Sequence, residues 1–198
     1  MESRKRFFDD HAASWDERHH RDTEAALGEV VRSFGLSEGD IVLDVGTGTG
    51  VLLPLIRKAV GPGGKVAAMD FAFRMLEEAK HRPGASFENL VNASVEAIPC
   101  RAGIFDQVTC FSSFPHFPNK ERALSEMVRV LKPGGSISIA HIKSIEEIRE
   151  LHHQVGGAVA HDHLPAPDML RDLMDRAGFR GIRVINEPGK FLARGWKK

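Results

Sequence analysis

Ile41-Val-Leu-Asp-Val-Gly-Thr-Gly-Thr-Gly50 is the stretch on which the fold turns. Ile41 to Asp44 are β-branched or apolar up to the acid, the pattern of a short buried strand. Gly46, Gly48 and Gly50, with Thr47 between them, then form a loop in which backbone can turn sharply and a ligand can approach without meeting a Cβ. Val51, Leu52, Leu55, Ile56, Ala59 and Val60 follow at helical spacing, and Gly61-Pro62 stops the helix. Strand, glycine loop and helix open a nucleotide-binding α/β domain of the doubly wound kind. The dinucleotide fingerprint is G-x-G-x-x-G. Here the third glycine comes one residue early, and Val51 stands where that fingerprint wants glycine.

Outward from this loop, Lys65 to Asp70 reads as a second strand ending in an acid, about 20 residues beyond Gly50. A carboxylate there can accept hydrogen bonds from both ribose hydroxyls. Phe71 offers a flat apolar face to an adenine ring, and core packing explains it as well. A short third strand is expected over Phe87 to Val91, a fourth over Phe105 to Phe111 and a fifth over Ser136 to Ile142. Asn119 and Ser144 are candidate helix N-caps, the latter with Glu147 as a capping box. Gly181 to Glu187 and Lys190 to Trp196 flank a Pro188-Gly189 turn and predict an antiparallel pair.

The D-x-G-x-G-x-G form at residues 44–50 resembles motif I of the class I S-adenosylmethionine (SAM) dependent methyltransferases. Leu131-Lys-Pro-Gly-Gly135 before a strand is a second resemblance, to the small-molecule branch of that family. Phe7-Phe8-Asp9, Ala12 and Trp15-Asp16 are similar to its opening helix, and Phe105-Asp-Gln-Val108 to its central strand. The resemblance covers nearly the whole chain. It implies one doubly wound, mostly parallel seven-stranded sheet with a C-terminal antiparallel hairpin. It implies SAM as cofactor, with residues 1–22 as a lid helix and residues 142–167 as an insertion on the substrate side.

It also implies site residues. Asp44, the glycine loop and Asp70 with Phe71 would hold the cofactor. Asn92-Ala-Ser-Val-Glu96 matches the family's G-D-A-E segment, with Ser94 in place of the acid that holds the adenine amino group and Glu96 at the second acid. A neutral hydroxyl makes a weaker contact than a carboxylate, so backbone at Val95 is an added candidate. Backbone at Phe111 and Ser112 would face the methionine end.

A SAM methyl already sits on a good leaving group, so the protein needs no nucleophile. It must hold an acceptor in line and exclude water, with a base only if the acceptor must lose a proton. Histidine is the available base near neutral pH. His141, at the end of the fifth strand, and His116, in the loop after the fourth, rank first; a structural or solvated role is open for each. Phe8, His11, Trp15, Phe114 and His152 are candidates for the acceptor wall, and ordinary core packing competes for them. His161-x-His163 with His152 or His141 could take a divalent metal, but no Cys or His partner stands at fixed spacing, so no metal is assigned.

Composition excludes several classes. The 198 residues hold 27 basic and 27 acidic side chains, no tyrosine, 10 histidines and two cysteines. A short-chain dehydrogenase needs a Y-x-x-x-K pair, which a chain without tyrosine cannot supply. The nucleobase amino-methyltransferase loop N/D-P-P-Y/F/W is replaced by Phe111-Ser-Ser-Phe114. Pro99-Cys100 matches the nucleophile of RNA cytosine enzymes only formally. Zero net charge argues against a nucleic-acid substrate. No apolar run approaches a membrane span, no h-region follows the N-terminus, and two cysteines make no disulfide framework. A cytoplasmic protein acting on a small-molecule acceptor is expected. The alternative is a non-catalytic SAM-binding or metal-responsive interaction protein.

Overall fold

The computed structural model describes residues 2–19, 24–84 and 89–198, with the backbone alone at 18 and 19. The start of the strand expected at Phe87 lies outside the described residues. Seven strands form one sheet in the order β3-β2-β1-β4-β5-β7-β6. They are β1 (Ile41–Val45), β2 (Lys65–Asp70), β3 (Leu90–Asn92), β4 (Phe105–Phe111), β5 (Leu131–His141), β6 (Phe179–Glu187) and β7 (Lys190–Lys197). The first five are mutually parallel, and β7 inserts antiparallel between β5 and β6. The doubly wound sheet with its closing hairpin therefore stands as expected.

Alternation along the strands sends side chains to two cores. Leu43, Val45, Val108 and Ile137 pack with α6 (Lys120–Val130) and α8 (Pro167–Ala177). Val42, Ala140 and Leu192 pack with α3 (Glu24–Phe34) and α4 (Leu53–Val60). Phe34, Phe114, Phe179 and Phe191 are completely enclosed, each contributing about 2–3 kcal/mol by leaving water. Asn119 caps α6 by accepting the Arg122 amide at 2.9 Å. Ser144 and Glu147 make the reciprocal capping box that starts α7 (Ile145–Val155). Gly178, at φ 106°, ends α8 in the left-handed conformation.

One expectation changes. Leu131-Lys-Pro-Gly-Gly135, expected to precede the fifth strand, is the start of β5 itself. Leu131 pairs with Phe105, and the register slips before Gln107 meets Ser136. That irregularity accommodates Pro133, which has no amide to give the ladder.

A third, smaller cluster joins α1 (Glu2–His11) to α5 (Phe73–Lys80): Phe8 and Ala12 meet Ala72, Met75 and Val159. Polar ties reinforce it. The Arg74 amide donates to Asp9 at 2.9 Å, and the Thr49 hydroxyl donates to Asp16 at 2.6 Å. Arg82 also pairs with Asp16. The N-terminal segment thus rests on the carboxyl ends of the strands, beside the glycine loop.

Candidate active site

The loop after β1 is pinned to β2, because the Gly46 and Thr47 amides both donate to the Met69 carbonyl, at 2.8 and 3.0 Å. Gly46 and Gly48 have φ of 69° and 55°. A Cβ on Gly46 would lie 2.4 Å from Ser113 Cβ, whereas one on Gly48 would meet nothing within 4 Å. Packing demands the first glycine. The second faces open space, where a ligand can reach the backbone.

Asp70 closes β2 and turns into this loop. Its carboxylate accepts the Gly48 amide at 2.9 Å and the Ala72 amide at 2.8 Å. Burial pushes the carboxyl up to about 6, against the pull of those amides. At neutral pH it is an anion with lone pairs to spare on both oxygens. Asp44 is also buried but serves the sheet: it accepts the Thr109 hydroxyl at 2.7 Å, and burial raises its pKa. Ser112, at the end of β4, has φ 53°, the one positive value outside glycine among the described residues. Backbone strain of this kind gathers where a site imposes it.

Two cavities adjoin at Asp70. A narrow slot of about 30 Å³ lies between Phe71, Ser94, Val95 and Phe117. A larger cavity, about 350 Å³, runs from Gly48 and Ser112 to Phe8, Trp15 and three histidines. Gly46, Asp70, Phe71, His116 and Phe117 belong to both walls.

The three histidines differ. His116 sits in a 3-10 turn started by Ser113 and Pro115 and tied by Lys120, whose Nζ donates to the Pro115 and Phe117 carbonyls at 3.0 and 3.2 Å. Its Nδ1 lies 2.8 Å from the Asp162 carboxylate. Burial lowers its pKa, and the bond to Asp162 works in the opposite direction. His152, on α7, places Nδ1 2.6 Å from the Asp162 carbonyl. His141, at the end of β5, is enclosed, and its Nε2 has no hydrogen-bond partner among the described residues. Burial, with His116 and His152 nearby, pushes its pKa down to about 3.

Most expected site residues therefore converge, and some do not. Gly46, Thr47, Gly48, Asp70, Phe71, Phe111, Ser112, Phe8, Trp15, His116, His141 and His152 line the larger cavity, and Ser94 with Val95 the slot. Phe114, expected on the acceptor wall, is a core residue with no exposure. His11 leaves the site because its Nδ1 bonds the Phe7 carbonyl at 2.7 Å and its ring stacks on Phe7. Glu96 turns away to accept the Asn119 amide at 2.9 Å. Asp44 lies beneath the loop, and Gly50 packs against Leu53 and Ala79. Ser94 spends an acceptor site on the Glu96 amide at 3.2 Å, but keeps its hydroxyl proton. Among the described residues no three His, Cys, Asp or Glu side chains are placed to hold a metal ion.

Sequence reasoning missed Asp162 and Arg4. Asp162 stands between two histidines in a loop and Arg4 in a charged segment, and neither setting signals a buried contact. Arg4 Nε donates to Asp162 at 3.0 and 3.1 Å. Burial would raise the Asp162 carboxyl, but the bonds from His116 and Arg4 prevail and hold it at about 2.

Residues 43–139 match the family described as methyltransferase domain. The demethylmenaquinone methyltransferase of Staphylococcus aureus is 41% identical over 110 residues, 54% of this chain and 45% of that protein. The match thus spans less than half the length of these curated relatives. A SAM-dependent methyltransferase of Thermotoga maritima, described as a possible histamine N-methyltransferase, superposes with a TM-score of 0.77 at 21% identity, covering 98% of this chain and 97% of that one. One from Aquifex aeolicus gives 0.68 at 28% identity, covering 88% and 93%. Residues 43–139 thus carry the methyltransferase domain, and the chain as a whole has the fold of SAM-dependent methyltransferases.

The site fits that family's cofactor. Gly48 leaves free the space a backbone-bound ligand needs. The buried Asp70 anion stands at the junction of slot and cavity, where a ribose would present its hydroxyls. The slot between Phe71 and Val95 continues from that point with apolar walls, and at about 30 Å³ it admits a purine only when those side chains part.

Proposed function

We propose that this chain transfers the methyl group of SAM to a small-molecule acceptor held in the larger cavity, with His116 taking the acceptor's proton. The cavity carries this reading. It begins at the glycine loop and Asp70, and it ends at an imidazole backed by a carboxylate. When bound, SAM supplies a methyl on sulfonium sulfur, ready for in-line displacement.

The chain's residues supply the rest. Asp70 accepts the ribose hydroxyls, and Phe71 with Val95 flanks the adenine, with Ser94 able to bond its edge. Backbone at Phe111 and Ser112 positions the methionine end. Phe8, Trp15, Ile148 and Val159 give the acceptor an apolar seat and exclude water. His116 is neutral at physiological pH, so it can accept a proton. The imidazolium so formed lies against Asp162, which stabilises it. His141 is the poorer base, since its imidazolium would have no acceptor at Nε2.

Residues 1–22 would act as the lid and 142–167 as the acceptor-side segment. The S. aureus relatives are named for demethylmenaquinone, and a small-molecule acceptor is the class proposed for this chain. No helix among the described residues is long and apolar enough to cross a membrane. We place the protein in the cytoplasm, where its two unpaired cysteines would stay reduced.

Calorimetric titration with S-adenosylhomocysteine tests the cofactor assignment, and its formation from SAM across a panel of phenols, catechols and amines tests the transfer. Micromolar binding with turnover of at least one acceptor is expected. Binding without turnover would favour a SAM-responsive binding protein, and no binding would remove the cofactor.

A further inference from the structure

Asp162 makes two different contacts with the histidines of the cavity. Its carboxylate accepts from one ring and its backbone carbonyl from the other. A carbonyl oxygen has no proton to give, so His152 must carry its proton on Nδ1. An ionised carboxylate has none either, so His116 must do the same. Both Nε2 atoms are then bare lone pairs, and neither has a protein partner among the described residues. The two rings lie 4.9 Å apart between centres and line the same cavity. The Asp162 side chain is almost wholly enclosed, and Arg4 of the N-terminal helix grips its carboxylate.

We infer that Asp162 is the positioning residue of the acceptor site, fixing His116 and His152 together as Nδ1-protonated imidazoles that meet the acceptor with two lone pairs, while Arg4 couples this arrangement to the N-terminal helix. The inference rests on the acceptor lying in this cavity. It adds the acceptor's chemistry. A wall of two imidazole acceptors set among Phe8, Trp15, Leu151 and Val159 takes an apolar molecule that donates hydrogen bonds through hydroxyl or amine groups. A molecule offering only carbonyls would leave both lone pairs dry and unpaired, which is costly. The charged and titratable groups that bear on the pair are Arg4 from α1, Lys120 from α6, His141 from β5 and Asp162 itself.

Replacing the carboxylate by an amide separates the two contacts. With Arg4 still donating, the amide oxygen of Asp162→Asn is claimed by the guanidinium, and its NH2 group faces His116. The imidazole must then move its proton to Nε2, losing the lone pair. The backbone carbonyl is unchanged, so His152 keeps its tautomer. A role confined to packing would not treat the two rings differently.

The experiment is a set of long-range proton–nitrogen spectra of the full chain, labelled with nitrogen-15 histidine and titrated over pH, with His116→Gln and His152→Gln for assignment. In the wild type both rings are expected as the Nδ1-protonated form. In Asp162→Asn, His116 should switch and His152 should not. Arg4→Met should leave both tautomers, raise the His116 pKa by removing a nearby cation, and speed amide exchange in α1. It also decides the coupling if Asp162→Asn does not fold. Phenol should shift both Nε2 signals, and anisole, which has no donor, should not.

Either ring found with its proton on Nε2 in the wild type would overturn the inference. So would an unchanged His116 in a folded Asp162→Asn, or identical responses to phenol and anisole. Loss of S-adenosylhomocysteine binding with these tautomers intact would sink the cofactor reading instead.

Discussion

The glycine-loop half of the cleft and its histidine half are built by different means. The first is made of backbone. Amides of Gly46 and Thr47 hold the Met69 carbonyl, and the Gly48 and Ala72 amides hold Asp70, all within two neighbouring strands and their loops. The second is made of side chains brought from distant parts of the chain. Arg4 and Asp162 are separated by 158 positions, and His116 and Asp162 by 46. A backbone site tolerates sequence drift and suits a cofactor that never changes. A site of side chains can be rewritten residue by residue, and suits the part that selects an acceptor.

Substitutions can break this contrast, and the largest effect is expected at the base. His116→Gln should lower turnover by roughly 10²–10⁴-fold while leaving S-adenosylhomocysteine affinity unchanged by calorimetry. An equal loss in both would show that the two halves are one unit. Phe114→Ala, two residues away, should behave oppositely. It removes a fully enclosed ring and should cost about 3–5 kcal/mol in urea unfolding. A small cost there would return Phe114 to the acceptor wall.

Asp70→Ala comes next. It should weaken S-adenosylhomocysteine binding by about 1–3 kcal/mol, since the ribose and two amides lose their acceptor. The wild type should show the same loss by protonation as pH falls through about 6, read by titrations at pH 7.5 and 5. The two halves also carry opposite pH signs in stability. Asp70, with its folded pKa raised, favours the fold at low pH and withdraws that support as pH rises through about 6. His141, depressed to about 3, supports the fold above the ordinary imidazole value and loses that support as pH falls below it. Removing His141 as His141→Gln should therefore flatten the decline in stability between pH 6.5 and 4. A steeper decline would reverse the assignment. The smallest effect is expected at the α7 capping box, where Ser144→Ala should cost about 1 kcal/mol.

The same contrast explains what could be read from the sequence. The glycine loop, the strand acids and the closing hairpin were legible because short-range pattern dictates them. Glycine spacing, a strand ending in Asp70, and the caps at Asn119 and Ser144 each lie within one or two elements. Phe114 and His11 misled because an aromatic next to a loop looks the same whether it faces a ligand or the core. Only the packing under α6 and the ring stack on Phe7 separate the two cases. Asp162 was illegible because its meaning lies in contacts with His116, His152 and Arg4 that no spacing encodes. A carboxylate between two histidines in a loop is ordinary in a solvated segment, and here it is buried. His141 showed the reverse problem. Its place at the strand end suggested a base, while the enclosure that disfavours its imidazolium is a tertiary property.

The central claim, that SAM lies across the carboxyl ends of β1, β2 and β4, is tested most directly by a crystal structure grown with S-adenosylhomocysteine. The account predicts the adenine in the slot between Phe71 and Val95, both ribose hydroxyls on Asp70, and the sulfur pointing into the cavity toward His116. An adenosyl group bound elsewhere, or Asp70 still facing only the Gly48 and Ala72 amides with the ligand present, would contradict it.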